Sequence, residues 1–190
     1  MQTAAQNDIS VNLEFTPNPD TLKYATNMTL LPSGAANFVS LEAAKGKSLL
    51  AEELFQNSKI SAVMIGKDFV TVTVKDQSEL ETLNQGIIET IRNFLLSGRQ
   101  IVLPQDSATS GGMAKTEIEK KIIEILDAEI RPAVAMDGGD ISFEKYEDGF
   151  VYLRMQGSCA GCPSSMMTLK MGVETRLKDA IPEIQEVIPV

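Results

Sequence analysis

Apolar positions along this chain change period several times, and each change marks an element. In "VNLEF", residues 11–15, Val11, Leu13 and Phe15 alternate with polar residues, the period of two that a half-buried strand requires. The "TPNPD" that follows is turn chemistry. Residues 48–57, "SLLAEELFQN", read as a short helix. "ISAVMIG" and "FVTVTVK" are rich in β-branched residues and meet through "GKD", which predicts a hairpin. Ser78 and Glu81 have capping-box spacing. Leu80, Leu83, Ile87, Ile91 and Phe94 then share one helical stripe that stops before Gly98.

Beyond this first half, "LPQDSATSGGMAKTE", residues 103–117, gathers proline, glycine and small polar residues, the composition of a flexible linker. The expected division is a first domain over 1–103, a linker over 104–114 and a second domain over 115–190. The second half opens on another capping-box spacing, Thr116 with Glu119, ahead of the apolar face Ile118, Ile122, Ile125, Leu126 and Ile130, with Pro132 closing the helix. "DISFEKY" and "FVYLRMQ" flank "EDG", a second hairpin, entered through the glycines of "MDGGD". A helix from about Pro163 to Lys178 and a short strand in "IQEVIPV" complete the order helix, strand, strand, helix, strand. A helix between the last two strands implies a right-handed crossover on a three-stranded mixed sheet. The fold class is therefore α+β / α/β in two small domains, an antiparallel sheet with helices followed by an α-β-β-α-β unit.

Composition narrows the chemistry. The 190 residues carry 17 basic and 26 acidic side chains, a net charge of −9, with no basic cluster to neutralise phosphates, so nucleic acid is not an expected partner. No apolar run approaches the roughly 20 residues of a membrane span. The first positive side chain is Lys23, and the opening residues have neither the basic start of a secretory signal nor an arginine-rich transit pattern. A cytoplasmic protein is expected, although a mature mitochondrial form with its presequence removed would look the same. The chain contains no histidine, which removes Ser-His and Cys-His catalysis and any histidine-bearing metal site. No enzyme is expected.

Both cysteines fall in "MQGSCAGCPSS": Cys159 and Cys162, three apart, between glycines and ahead of a proline. Pro163 suits the first turn of a helix, so Cys162 falls at a helix N-terminus, where unpaired N–H groups and the helix dipole stabilise thiolate or an anionic cluster. Gly157 and Gly161 let backbone approach a bulky inorganic group and donate N–H bonds to its sulfurs. Three other readings use the same pair. Small buried cysteines explain neither glycine, a thioredoxin-like dithiol shares the spacing, and zinc shared between chains uses the same thiolates. A tetrahedral zinc or an iron-sulfur cluster takes four ligands, so one chain owns half a site. Two chains meeting at this loop would complete it.

These residues resemble a known family, the Nfu proteins, or NifU C-terminal-domain proteins, which carry and deliver iron-sulfur clusters. The resemblance lies in "GSCAGCPSSMMTLKMGVE" with "MDGGDISF", and in "FTPNPDTLKY", "LAEELF" and "SAVMIGKDFVTVT" of the first half, and so covers nearly the whole chain. It implies a labile cluster bridging two subunits of a homodimer through Cys159 and Cys162, 4Fe-4S in preference to 2Fe-2S. It also implies receipt from an upstream cluster-assembly scaffold, delivery to apo iron-sulfur proteins, and recipient or partner recognition by the first domain.

Other residues near the loop have their own expectations. Asp137 and Asp140 read as turn aspartates bonded to nearby backbone N–H groups rather than as iron ligands. Met136, Met155, Met166, Met167 and Met171 put five of the nine methionines near the cysteines, as adaptable core filling or a pliable docking surface rather than a Cu(I) site. Ser158, Ser164 and Ser165 are expected to cap the helix or bond to cluster sulfur.

Overall fold

A computed structural model describes residues 9–103, 116–160 and 163–190, with the side chains of all but 163–166. The chain divides into two compact units, Met1–Asp106 and Ser107–Val190. The expected linker over 104–114 lies outside the described residues.

The first unit is built on one antiparallel sheet. Strands β1 (Val11–Phe15), β2 (Thr21–Thr26), β3 (Ala36–Phe38), β4 (Ile60–Ile65) and β5 (Phe69–Val74) lie in the order β1-β2-β5-β4-β3. The "TPNPD" turn closes as its chemistry requires. The Thr16 hydroxyl donates to the carbonyls of Asn18 and Thr21 at 2.9 and 2.8 Å, and the Asn18 side chain accepts from the Asp20 N–H at 3.0 Å. Short helices α1 (Leu41–Ala44) and α2 (Leu49–Leu54) follow, the second capped by the Ser48 hydroxyl, which accepts from the Ala51 N–H at 3.2 Å and donates to the Ile101 carbonyl at 2.7 Å.

The long helix α3 (Leu80–Leu96) buries Ile87, Ile91 and Phe94 as its stripe predicts, with Leu80 and Leu83 partly buried. Its start differs from expectation. Asp76, not Ser78, caps a 3₁₀ turn over Gln77–Glu79. The Asp76 carboxylate accepts from both the N–H and the hydroxyl of Ser78, at 2.9 and 2.7 Å. The ionised Asp76 carboxylate, two residues earlier, takes both the N–H and the hydroxyl of Ser78, which places Ser78 inside the turn rather than at its cap.

The second unit has helix α4 (Glu117–Ile125), whose capping box is complete: Glu119 N–H to Thr116 Oγ1 at 3.2 Å and Thr116 N–H to Glu119 Oε2 at 2.7 Å. Pro132 does not close this helix. One wide turn over Leu126–Ile130 sends the Arg131 N–H back five residues to the Leu126 carbonyl, and Pro132 then enters the first turn of α5 (Arg131–Met136). The π-type turn and a first-turn position leave the proline's missing N–H without consequence. The hairpin of β6 (Gly139–Glu147) and β7 (Phe150–Gly157) turns on Asp148 and Gly149, both at positive φ, the backbone of a primed two-residue turn. Helix α6 (Pro163–Ala180) leads to β8 (Glu186–Pro189), which pairs parallel to β7 while β6 pairs antiparallel, giving the three-stranded mixed sheet. Ile122, Ile141, Val151, Leu153, Leu177 and Val187 are fully buried between this sheet and its helices.

Candidate metal centre

The cysteine loop is anchored by the pairing that precedes it. Residues Gly139 and Gly157 face each other at one end of the β6–β7 ladder, so "MDGG" and "GSCA" leave the sheet side by side. Gly157 is at φ +61°, a left-handed conformation that turns the chain out of β7. Ser158 then ties the two segments together, its N–H donating to the Gly138 carbonyl at 3.2 Å and its hydroxyl to the Asp137 carbonyl at 2.5 Å. The serine is spent on the loop rather than on a helix cap. Its place in the sequence between Gly157 and Cys159 does not reveal that.

Cys159 sits on this platform, 5% exposed and a member of the apolar core of its unit. Its sulfur rests against Gly139 so closely that a Cβ on residue 139 would stand 2.0 Å from Sγ. A side chain at 139 and the observed thiol position are mutually exclusive. The thiol's pKa is pushed up to about 11, first by burial and then by the negative charges of Asp137 and Asp140, against a hydrogen bond from Ser158. In the metal-free chain it is therefore a protonated, shielded thiol at neutral pH. A helix start is expected to lower a thiol's pKa, but Cys159 lies ahead of α6 and inside the core, where desolvation wins. Cys162 and the side chains of Ser164, Ser165 and Met166 lie outside the described residues.

The acidic residues divide. Asp140 is buried and forms a two-pronged pair with Arg131, Nε–Oδ1 at 2.9 Å and Nη2–Oδ2 at 3.0 Å, while Arg131 Nη1 also reaches Asp127 at 2.9 Å. These bonds hold the guanidinium's pKa above its ordinary value despite burial. Asp140 thus bonds a guanidinium, not the turn backbone expected of it. Asp137 is exposed and serves through its carbonyl. Arg131 was not anticipated, although its spacing of four from Asp127 is a helix-surface ion-pair signal. Among the described residues no group of three or more Cys, Asp or Glu side chains is arranged to hold a metal. The methionines also divide: Met155 is in the core, whereas Met136, Met167 and Met171 are exposed.

A buried thiol on a glycine platform at a strand-to-helix turn, in two compact α/β units, is matched by known proteins over both units. Residues 122–188 match the family model "NifU-like domain", and residues 11–98 match "Scaffold protein Nfu/NifU N terminal". A human protein named "NFU1 iron-sulfur cluster scaffold homolog, mitochondrial" is 39% identical over 180 residues, covering 93% of this chain and 70% of that protein. The chain belongs to the Nfu family.

The Arabidopsis thaliana protein "NifU-like protein 4, mitochondrial" is 36% identical over 183 residues, covering 93% of this chain and 64% of its own. This Nfu chain thus spans about two thirds of the length of these relatives. A solution structure of a NifU-like protein from Saccharomyces cerevisiae overlaps 55% of this chain and 93% of its own at 22% identity, with a TM-score of 0.48, too low to support an argument from shape. No described helix is long and apolar enough to cross a membrane. The relatives' names place those proteins in mitochondria, beside the cytoplasmic expectation for this chain.

Proposed function

We propose that this Nfu protein is an iron-sulfur cluster carrier in which Cys159 and Cys162 of each of two chains supply the four thiolates of one bridging cluster, 4Fe-4S in preference to 2Fe-2S. The domain division at 104–114 belongs to the same reading, with the second domain holding cargo and the first recognising recipients. The carrier receives its cargo from an assembly scaffold and releases it to apo-proteins, without turnover of its own.

The observation that carries the reading is the placement of Cys159. A thiol closed in by apolar neighbours and a glycine, in a chain with two cysteines and no histidine, suits soft-metal ligation by thiolates supplied in pairs. The names of the relatives, iron-sulfur cluster scaffold homologs among them, point the same way. Binding exchanges a thiol proton for iron, and a cluster held by two ligands from each chain is less enclosed than one held by four from a single chain. That is suited to hand-over.

The dithiol reading requires a cysteine with a depressed pKa exposed for attack, and Cys159 has the opposite character. Zinc uses the same ligands, and metal analysis separates it. Loading the protein anaerobically with iron and sulfide tests the proposal. A broad visible absorption near the blue edge should appear and be lost, together with the dimer, in Cys159→Ser and in Cys162→Ser. A colourless zinc protein, or a full cluster on a monomeric Cys162→Ser variant, would overturn it.

A further inference from the structure

The platform under Cys159 is made of two buried glycines, Gly138 and Gly139, and Gly138 stands at φ +78°. Glycine backbone has little preference of its own that would keep such a surface in place, so the platform depends on what holds its ends. One end is held by Ser158, whose N–H and hydroxyl bond the carbonyls of Gly138 and Asp137. That tie belongs to the cysteine loop and would travel with it. The other end is Asp140.

Asp140 is fixed from outside the loop. Its two carboxylate oxygens accept from Arg131 Nε at 2.9 Å and Nη2 at 3.0 Å, and the third arm of the guanidinium, Nη1, reaches Asp127 at 2.9 Å. Arg131 is the first residue of α5 and Asp127 lies in the wide turn before it, so one side chain ties the turn, the helix and the start of β6. The bonds to Asp140 close α5 and "MDGG" into a ring. Within it the N–H groups of Asp137 and Gly138 bond back to the carbonyls of Val134 and Ala135, both at 3.1 Å. The glycines are thus slung between a helix end and an ionic clamp.

Stability alone does not call for this clamp. The Asp140 side chain is 10% exposed and that of Arg131 29%, and removing both charges from water offsets much of their attraction. The exposed Asp127 would serve the arginine by itself. What a two-pronged guanidinium–carboxylate pair adds is a fixed distance and orientation. Two short routes carry that geometry to the thiol. Gly139, next to Asp140, packs so tightly on the sulfur that a Cβ there would stand 2.0 Å from Sγ. Gln156 faces Asp140 in the β6–β7 ladder, and its carbonyl accepts from the Cys159 N–H at 3.3 Å.

We infer that Arg131 is a positioning residue for Cys159: by clamping Asp140 it holds Gly139 against the sulfur and keeps the thiol closed in its place. It acts through Asp140 and Gly139 rather than on the sulfur. That this thiol then ligates cargo rests on the function proposed above; the clamp itself does not.

The test uses reduced, metal-free, full-length protein as wild type, Arg131→Gln, Arg131→Lys and Val187→Ala. The last opens a cavity at a fully buried position on β8, at the opposite edge of the sheet from β6, and controls for lost stability. Alkylation by iodoacetamide at fixed pH is read at Cys159 by peptide fragmentation, which separates it from Cys162, while urea denaturation ranks the variants. Arg131→Gln should speed alkylation of Cys159 by about tenfold or more. Arg131→Lys, which keeps a charge without the fork, should speed it less, and Val187→Ala should stay near wild type although it too is less stable. Should Arg131→Gln not fold, Arg131→Lys against Val187→Ala decides by the same comparison. Unchanged Cys159 reactivity in the arginine variants would overturn the assignment. So would an equal rise in Val187→Ala, because general loosening would then explain both. Anaerobic loading with iron and sulfide separates the two claims: a wild-type chain that takes up no cluster removes the ligand reading and leaves the clamp, whereas unchanged alkylation in a chain that does load removes only the clamp.

Discussion

The sulfur of Cys159 occupies the space that a side chain on Gly139 would need: a Cβ there would lie 2.0 Å from Sγ. The two residues are 20 apart in the chain and are brought together by the β6–β7 ladder, in which Gly139 faces Gly157. The placement of this thiol is thus a matter of strand register as much as of the cysteine motif.

Gly139→Ala should leave a folded protein that loads poorly. The added methyl must push Cys159 off its platform, an overpacking that costs about 1–3 kcal/mol. Iron content per chain after anaerobic loading should fall well below wild type while the circular dichroism spectrum is retained; unchanged loading would mean that the thiol reaches its ligating position from elsewhere.

Arg131→Gln should destabilise the metal-free second unit. Asp140, with its side chain 10% exposed, would lose both of its charged hydrogen bonds. Such bonds are worth about 1–3 kcal/mol, and the 29% exposure of the arginine side chain places the loss toward the lower end. Urea denaturation measures it. Asp140→Asn, which leaves the Arg131 guanidinium still paired with Asp127, should cost less.

Acid should loosen the packing of β8 through Glu174. Its pKa is lowered first by the Lys178 side chain and then by the Val187 N–H, against burial. A depressed folded-state pKa contributes stability that is fully present above the unfolded value of about 4.3 and is lost as pH falls toward the folded value. Glu174→Gln should therefore flatten the fall in stability below about pH 4.3, as read by denaturation at a series of pH values; an unchanged slope would assign acid sensitivity to other carboxylates.

Much of this architecture is legible in periodicity. The stripe of α3, both hairpins and the mixed sheet follow from patterns of two and 3.6, and the Thr116–Glu119 box forms as spaced. Strand β2 is not legible, because "TLKYAT" lies between β1 and β5 with Leu22, Lys23 and Tyr24 all buried. The lysine breaks the apolar pattern yet stays inside through its Glu14 pair at 2.8 Å and the Phe69 ring at 5.1 Å. Ser78 and Pro132 mislead for a shared reason: each matches a local rule that a neighbour overrides, Asp76 in one case and the wide turn before Arg131 in the other. At the cysteine loop the thiol itself is readable from the sequence. The Gly139 platform and the Arg131–Asp140 pair are not, since both depend on contacts that form only when β6 has paired with β7 and α5 has packed beside it.

The most direct measurement is native mass spectrometry of anaerobically loaded wild-type protein, with the mass of bound iron and sulfide read on each species. The account predicts a species of two chains carrying one cluster of about four irons and four sulfides, with no metal on single chains. A complete cluster on one chain, or a Cys159–Cys162 disulfide in the active protein, would contradict it.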